Sequence, residues 1–119
     1  MPGAAIRLKR AYEAISAADG TRILVERLWP RGLAKADAAI DHWIKDIAPS
    51  TELRKWYDHQ PERWPEFQER YRGELRENQP AVEHLVGLIS EDRVTFIFAA
   101  KDEARNSAVV LKAFLEAEI

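Results

Sequence analysis

The spacing of apolar positions changes several times along the chain. Ile6-Arg7-Leu8-Lys9-Arg10-Ala11-Tyr12 alternates apolar and basic residues, the period-two pattern of a half-exposed strand. Ser16-Ala17-Ala18-Asp19-Gly20 reads as a turn. Ile23-Leu24-Val25 reads as a short buried strand ended by Trp29-Pro30, since proline cannot donate to a ladder. From Ala36 to Ile47 the spacing lengthens, and Ile40, Trp43, Ile44 and Ile47 predict one face of a helix stopped by Pro49. Ser50 is suited to cap a short helix near Thr51 to Asp58, with Glu52 in its first turn. Pro61 suits the first position of a third helix carrying Trp64, Phe67, Tyr71 and Leu75 as an apolar stripe. After the break at Asn78-Gln79-Pro80, Val82, Leu85, Val86 and Ile89 predict a fourth.

Val94-Thr95-Phe96-Ile97-Phe98-Ala99-Ala100 is β-branched and aromatic without a charge, as expected of a central strand covered on both faces. The polar loop Lys101 to Asn106 leads to a last helix with Ala108, Leu111, Phe114 and Leu115 inward. Strand, helical crossover, strand, loop and helix predict an α/β domain. We expect a small, mostly parallel sheet of three or four strands covered by about five helices.

With 119 residues, the chain is expected to form one domain over residues 1–119. Charged residues make up 32%, but the net charge is only -2, so no general affinity for nucleic acid or an anionic membrane is indicated. The absence of cysteine excludes disulfides, thiolate zinc sites and a cysteine nucleophile. Met1 to Arg7 lacks the apolar stretch of a signal peptide, and no apolar run approaches the roughly 20 residues of a membrane span. A cytoplasmic location is therefore expected. No histidine pair has metal spacing and Ser50 and Ser107 lack a nucleophile-elbow context, so neither a metal nor a serine hydrolase is expected.

Ligands of open α/β sheets bind beyond the carboxyl ends of the strands. Two segments leave such ends: Arg27-Leu28-Trp29-Pro30-Arg31-Gly32 and Lys101-Asp102-Glu103-Ala104-Arg105-Asn106. They meet on one rim if their strands are parallel neighbours. Arg27 and Arg31 offer planar forks for carboxylate or phosphate; alternatively, Arg27 pairs with Asp41 or Asp46. Trp29 either stacks on a ligand or fills the core. Asp102 is a general base or a helix cap, and Asn106 a ligand contact or a turn residue. His59, at a helix junction, is an acid/base candidate, since histidine is the side chain that changes charge near neutrality, or else a helix C-cap. Arg54, on the preceding helix, could face the same rim. His42 and His84 read as ordinary helix-surface residues, and the alternating charges of Glu62 to Glu77 as a solvated helix face.

Leu24-Val25-Glu26-Arg27-Leu28-Trp29-Pro30-Arg31-Gly32-Leu33, Asp41 to Ser50 and Leu53-Arg54-Lys55-Trp56 closely resemble the YeaO-like family of bacterial proteins. His59, Pro61, Trp64, Phe67, Tyr71 and Ala99-Ala100-Lys101-Asp102 with Asn106 and Ala108 extend the likeness over nearly the whole chain. The resemblance implies an α/β fold within a larger group of domains of unknown function and supplies no established substrate, and the cofactor is unknown. Its motif positions are Arg27, Trp29, Arg31, Asp41, Trp43, Asp46, Arg54, His59, Asp102 and Asn106. Glu26 stands where aspartate is expected, Gln60 where aspartate commonly precedes Pro61, and Ser107 where a bulkier polar residue is usual.

The expected function is binding of a phosphate- or carboxylate-bearing small molecule at this rim through Arg27, Arg31 and Arg54, with Trp29 and Asn106 as further contacts. If the chain is an enzyme, His59 or Asp102 is the acid/base, which suits hydrolysis or group transfer. The competing expectation is a non-enzymatic interaction module presenting exposed tryptophans, of which the chain has four.

Overall fold

The computed structural model describes residues 6–118; residues 1–5, which bear on the expected absence of a leader, and residue 119 lie outside the described residues. Strands β1 (Ile6–Arg10), β2 (Thr21–Leu24), β3 (His42–Trp43) and β4 (Val94–Phe98) form one parallel sheet in the order β1-β4-β2-β3. Helices α1 (Lys35–Ala38), α2 (Thr51–Tyr57), α3 (Trp64–Arg76), α4 (Gln79–Glu91) and α5 (Ser107–Glu118) complete the α/β fold expected from the sequence. Uncharged β4 is buried along its whole length between β1 and β2.

The pleat divides each strand between two unlike faces. Ile6, Ile23, Val25, Val94, Phe96 and Phe98 meet the apolar stripes of α2 to α5, including Phe67, Tyr71, Leu75, Leu85 and Leu111. On the other face Leu24 and Ile97 are covered by Trp29, Leu33, Ile40 and Trp43, from the segment between β2 and β3 and from β3 itself. One face thus carries the long helices and the other a strap with a single helical turn.

That strap corrects the expected helix over Ala36 to Ile47. Only Lys35–Ala38 is α-helical, with a 3-10 turn at Lys45–Ile47, and Ala39 turns left-handed at φ 50°. The Asp41 N–H then donates to the Arg22 carbonyl, His42–Trp43 pairs with Ile23–Leu24, and the Ile44 N–H donates to the Leu24 carbonyl. The sheet edge outcompetes the helix for these backbone groups. Ile44 and Ile47 pack in the helix-side core, whereas Ile40 and Trp43 join the strap, so the four do not share a face. His42 consequently lies on an edge strand, not a helix surface.

Other local expectations survive with shifted ends. Ser50 Oγ accepts the Leu53 N–H and caps α2. Gln60 caps nothing, and Pro61–Arg63 is a 3-10 turn leading into α3. The charged face of α3 carries the pairs Arg70–Glu66 and Arg72–Glu69. β2 ends at Leu24, well before Pro30; the Val25 N–H still donates to the Ile97 carbonyl, and the Glu26 carbonyl is taken by the Trp43 indole at 2.7 Å.

At the amino ends of the strands lies a buried ionic network that sequence periodicity did not reveal. Asp19 and Arg22 are 1% and 3% exposed, and their side chains meet at 2.6 Å. The Arg22 guanidinium also donates to the Ala38 and Ala39 carbonyls, while Lys9 Nζ donates to Asp19 at 2.9 Å. The Thr95 hydroxyl donates to the Asp19 carbonyl. Gly20, at φ 65°, follows because an added Cβ would lie 2.3 Å from the Arg93 carbonyl oxygen.

Candidate functional site

β2 and β4 are parallel neighbours, so the segments after them leave the same edge of the sheet. The link between them is Glu26. Its Oε2 accepts the Ala99 N–H at 3.2 Å, just past the end of β4, and its carbonyl accepts the Trp43 indole N–H. Oε1 has no protein partner among the described residues. Nor is it sealed, since no buried side-chain polar atom there lacks a partner. Glu26 is therefore a half-buried carboxylate held at the strand ends through Oε2.

Burial raises the Glu26 carboxyl above its ordinary value; the Ala99 N–H and the charges of Arg54 and His59 oppose that rise without cancelling it. Arg54 is exposed, and its side chain makes no hydrogen bond or ion pair among the described residues. His59 follows Asp58 in the left-handed region, at φ 54° and 46°, so two successive residues with Cβ atoms hold a conformation that glycine favours. This places the imidazole 6.4 Å from the ring of Tyr57, which packs on Phe67 at 4.6 Å.

The other sequence candidates are distributed around this point. Arg27 turns under the segment after β3, where Nε and Nη2 donate to the Pro49 and Ala48 carbonyls at 3.3 Å. It pairs with neither Asp41, whose carboxylate accepts the Arg22 N–H, nor Asp46. Beside it is a pocket of about 140 Å³, also lined by Tyr71, Glu74 and Asn78. Trp29 donates its indole N–H to the Leu33 carbonyl and stands edge-on to Trp43 at 5.3 Å. Arg31 is exposed, and its carbonyl accepts the Tyr12 hydroxyl.

Asp102 lies near Tyr57, whose phenol burial pushes up and the Asp102 charge pushes up further. The Asp102 carboxylate accepts the N–H groups of Arg105 and Ala104 and pairs with the Arg105 side chain at 3.1 Å. These bonds hold its carboxyl below the ordinary value, the Arg105 N–H most strongly, which makes it a weak proton acceptor. Asn106 caps the start of α5, accepting the Val109 N–H and donating to the Asp102 carbonyl. None of the four tryptophans is classed as exposed; Trp56 lies under the guanidinium groups of Arg63 and Arg70. The interaction-module expectation thereby loses the exposed anchors on which it rested.

A family model described as the inactive DUF488-N3 subclade matches residues 5–119. The chain belongs to that family. It is also 40% identical over 110 residues to YeaO of Escherichia coli K12, covering 92% of this chain and 96% of that protein. Uncharacterised proteins of Mycobacterium tuberculosis and Mycobacterium bovis are each 46% identical over 110 residues, 92% of either chain. No solved structure matches. The YeaO-like resemblance read from the Arg-Leu-Trp-Pro-Arg-Gly motif is thus the correct family. Within this YeaO-like chain, Glu26 is the candidate site residue that motif reasoning passed over. The available signal was its place: a carboxylate immediately after an apolar strand, between Val25 and Arg27.

Glu26→Gln is expected to raise the melting temperature at pH 7 by a few degrees, roughly the scale of relieving a partly buried, disfavoured charge. Glutamine keeps an acceptor for the Ala99 N–H and removes the disfavoured charge. A carboxyl with a raised folded-state value binds its proton more tightly when folded. The ionised form therefore destabilises the wild type above that raised value, and the penalty disappears as pH falls to the ordinary value of 4.5. Thermal melts from pH 8 to pH 4 should show the advantage of the variant shrinking with acidity.

Proposed function

We propose that this chain binds a phosphate- or carboxylate-bearing small molecule at the strand-end rim and does not turn it over. The observation that carries the proposal is the half-buried Glu26 carboxylate, held by the Ala99 N–H where β2 and β4 end at the carboxyl edge of a parallel sheet. Arg54 and His59 take the acidic group of the ligand, and Glu26 orients it. The left-handed backbone at His59 supports this reading, because such strain gathers where a side chain must be aimed.

Binding without chemistry is supported by the hydrogen-bonded, acid-shifted state of Asp102 and by the family's description as inactive. Trp29, Asn106 and the Nε and Nη2 groups of Arg27 are engaged by the protein and serve to shape the rim.

A titration of ¹⁵N-labelled protein with inorganic phosphate, sugar phosphates and small carboxylic, hydroxy and amino acids tests the proposal. Shifts clustered at residues 26, 54, 59 and 99 are expected, lost in Arg54→Ala and retained in Arg31→Ala. His59→Gly should weaken binding without loss of stability, since glycine adopts φ 54° freely. No response to any acid, or an unaltered response in Arg54→Ala, would overturn the reading.

A further inference from the structure

Side-chain hydrogen bonds stitch the segment after β3 to α3 and to the turn that follows it. The Tyr71 hydroxyl donates to the Ile47 carbonyl at 2.6 Å, and Asn78 Nδ2 donates to the Asp46 carbonyl at 2.8 Å. The Glu74 carboxylate accepts both the N–H and the hydroxyl of Ser50, at 2.8 and 2.6 Å. Between these stitches the seam does not close. A pocket of about 140 Å³ remains, with Arg27 on its wall and Ile47, Tyr71 and Leu75 as its apolar lining. At roughly 30 Å³ of liquid volume per water molecule, that is room for about four or five waters or a head group of similar size.

The stitching uses up donors rather than acceptors. The Tyr71 and Ser50 hydroxyls and Asn78 Nδ2 all donate to protein oxygens, and Arg27 gives Nε and Nη2 to the Pro49 and Ala48 carbonyls, leaving Nη1. The lining is richer in oxygen. A carboxylate has about four acceptor sites, of which Ser50 takes two on Glu74, and the Asp46 side chain, also at the pocket, is exposed. Asp46 and Glu74 against Arg27 leave the lining one negative charge in excess, so it disfavours an anion and is balanced by a monocation. Among the described residues no three histidine or acidic side chains group to hold a metal ion, which makes an organic cation the match. A guanidinium is more weakly hydrated than an ammonium and spreads its donors in one plane, so it enters an apolar-lined pocket at lower cost and spans acceptors on two elements.

We propose that this pocket binds a small molecule bearing a guanidinium or amidinium group, its planar N–H groups on Glu74 and Asp46 and its carbon skeleton on Ile47, Tyr71 and Leu75. Glu26, Arg54 and His59 do not line the pocket, so this site and the rim stand or fall separately.

Titration of the ¹⁵N-labelled full chain with methylguanidinium, methylammonium and urea at constant ionic strength provides the test. Urea has the planar shape without the charge, and methylammonium the charge without the plane. Methylguanidinium should give saturable shifts at residues 47, 48, 50, 74 and 78 in the millimolar range, with the other two about tenfold weaker or more, the scale of losing a charge-assisted hydrogen bond. Asp46→Asn, at an exposed position, should weaken methylguanidinium about tenfold without lowering the melting temperature. Glu74→Gln, which keeps an acceptor for Ser50, should weaken it as much, and Arg54→Ala should leave it unchanged. Urea or methylammonium binding as well as methylguanidinium would overturn the proposal, as would full binding in either carboxylate variant. No saturable shift at tens of millimolar would also overturn it and would leave the rim untouched.

Discussion

Arg22→Ala is expected to destabilise the domain by about 3–5 kcal/mol, the usual consequence of removing one partner from a buried ion pair. The loss is large because one guanidinium satisfies three separate parts of the fold. It pairs with Asp19 at 2.6 Å, and it donates to the carbonyls of Ala38 and Ala39, where the strap ends and the chain turns left-handed into β3. Without it the Asp19 carboxylate retains Lys9 and the Ser16 N–H, while the Arg22 share of its field disappears. Arg22→Lys should recover little, since an ammonium cannot reproduce the planar fork that spans these acceptors. Chemical denaturation followed by circular dichroism measures both variants; a loss below about 1 kcal/mol in Arg22→Ala would refute the account.

The same network gives an acid limb of defined sign. Burial pushes the Asp19 carboxyl up, but Lys9, the Ser16 N–H and Arg22 outweigh it and bring it from 3.8 down to about 2. A carboxylate with a lowered folded-state value contributes stability fully above 3.8, and the contribution fades as pH falls through about 2. The contribution is about 2 kcal/mol at neutral pH. Asp19→Asn should therefore be less stable than wild type at pH 7, and its stability should fall less steeply between pH 4 and pH 2.

Trp43→Ala is expected to cost roughly 3 kcal/mol, at the lower end for a large aromatic because the ring is only partly buried. It removes the main cover of Leu24 and Ile97 on the strap side, the edge contact with Trp29 and the donor to the Glu26 carbonyl. Lys45 also loses the ring over which its ammonium sits at 4.2 Å. Trp43→Phe separates packing from hydrogen bonding. It keeps an aromatic ring and should cost about 1–2 kcal/mol.

The amino-acid order determined the class of fold because each long element carries its own period. The uncharged Val94 to Phe98 run could only be covered on both faces, and Phe67, Tyr71 and Leu75 needed only the helical repeat to form a stripe. Ser50 was legible as a cap for the same local reason. Residues 36–47 were not, because their apolar spacing fits a helix while their backbone groups and side chains are divided between a sheet edge and two cores.

The rim shows the same division. Sequence placed two segments at strand ends and identified the Arg27–Gly32 motif that marks the family. Only the tertiary structure decided that Arg27 would turn to the Ala48 and Pro49 carbonyls and that Asn106 would cap α5. It also decided that Glu26 would stand at the junction of β2 and β4 with its carboxylate on the Ala99 N–H. Local periodicity reports which face a residue prefers. The hydrogen-bond partner of a polar side chain depends on which distant carbonyls and amides the parallel pairing brings within reach, and no repeat along the chain encodes that distance.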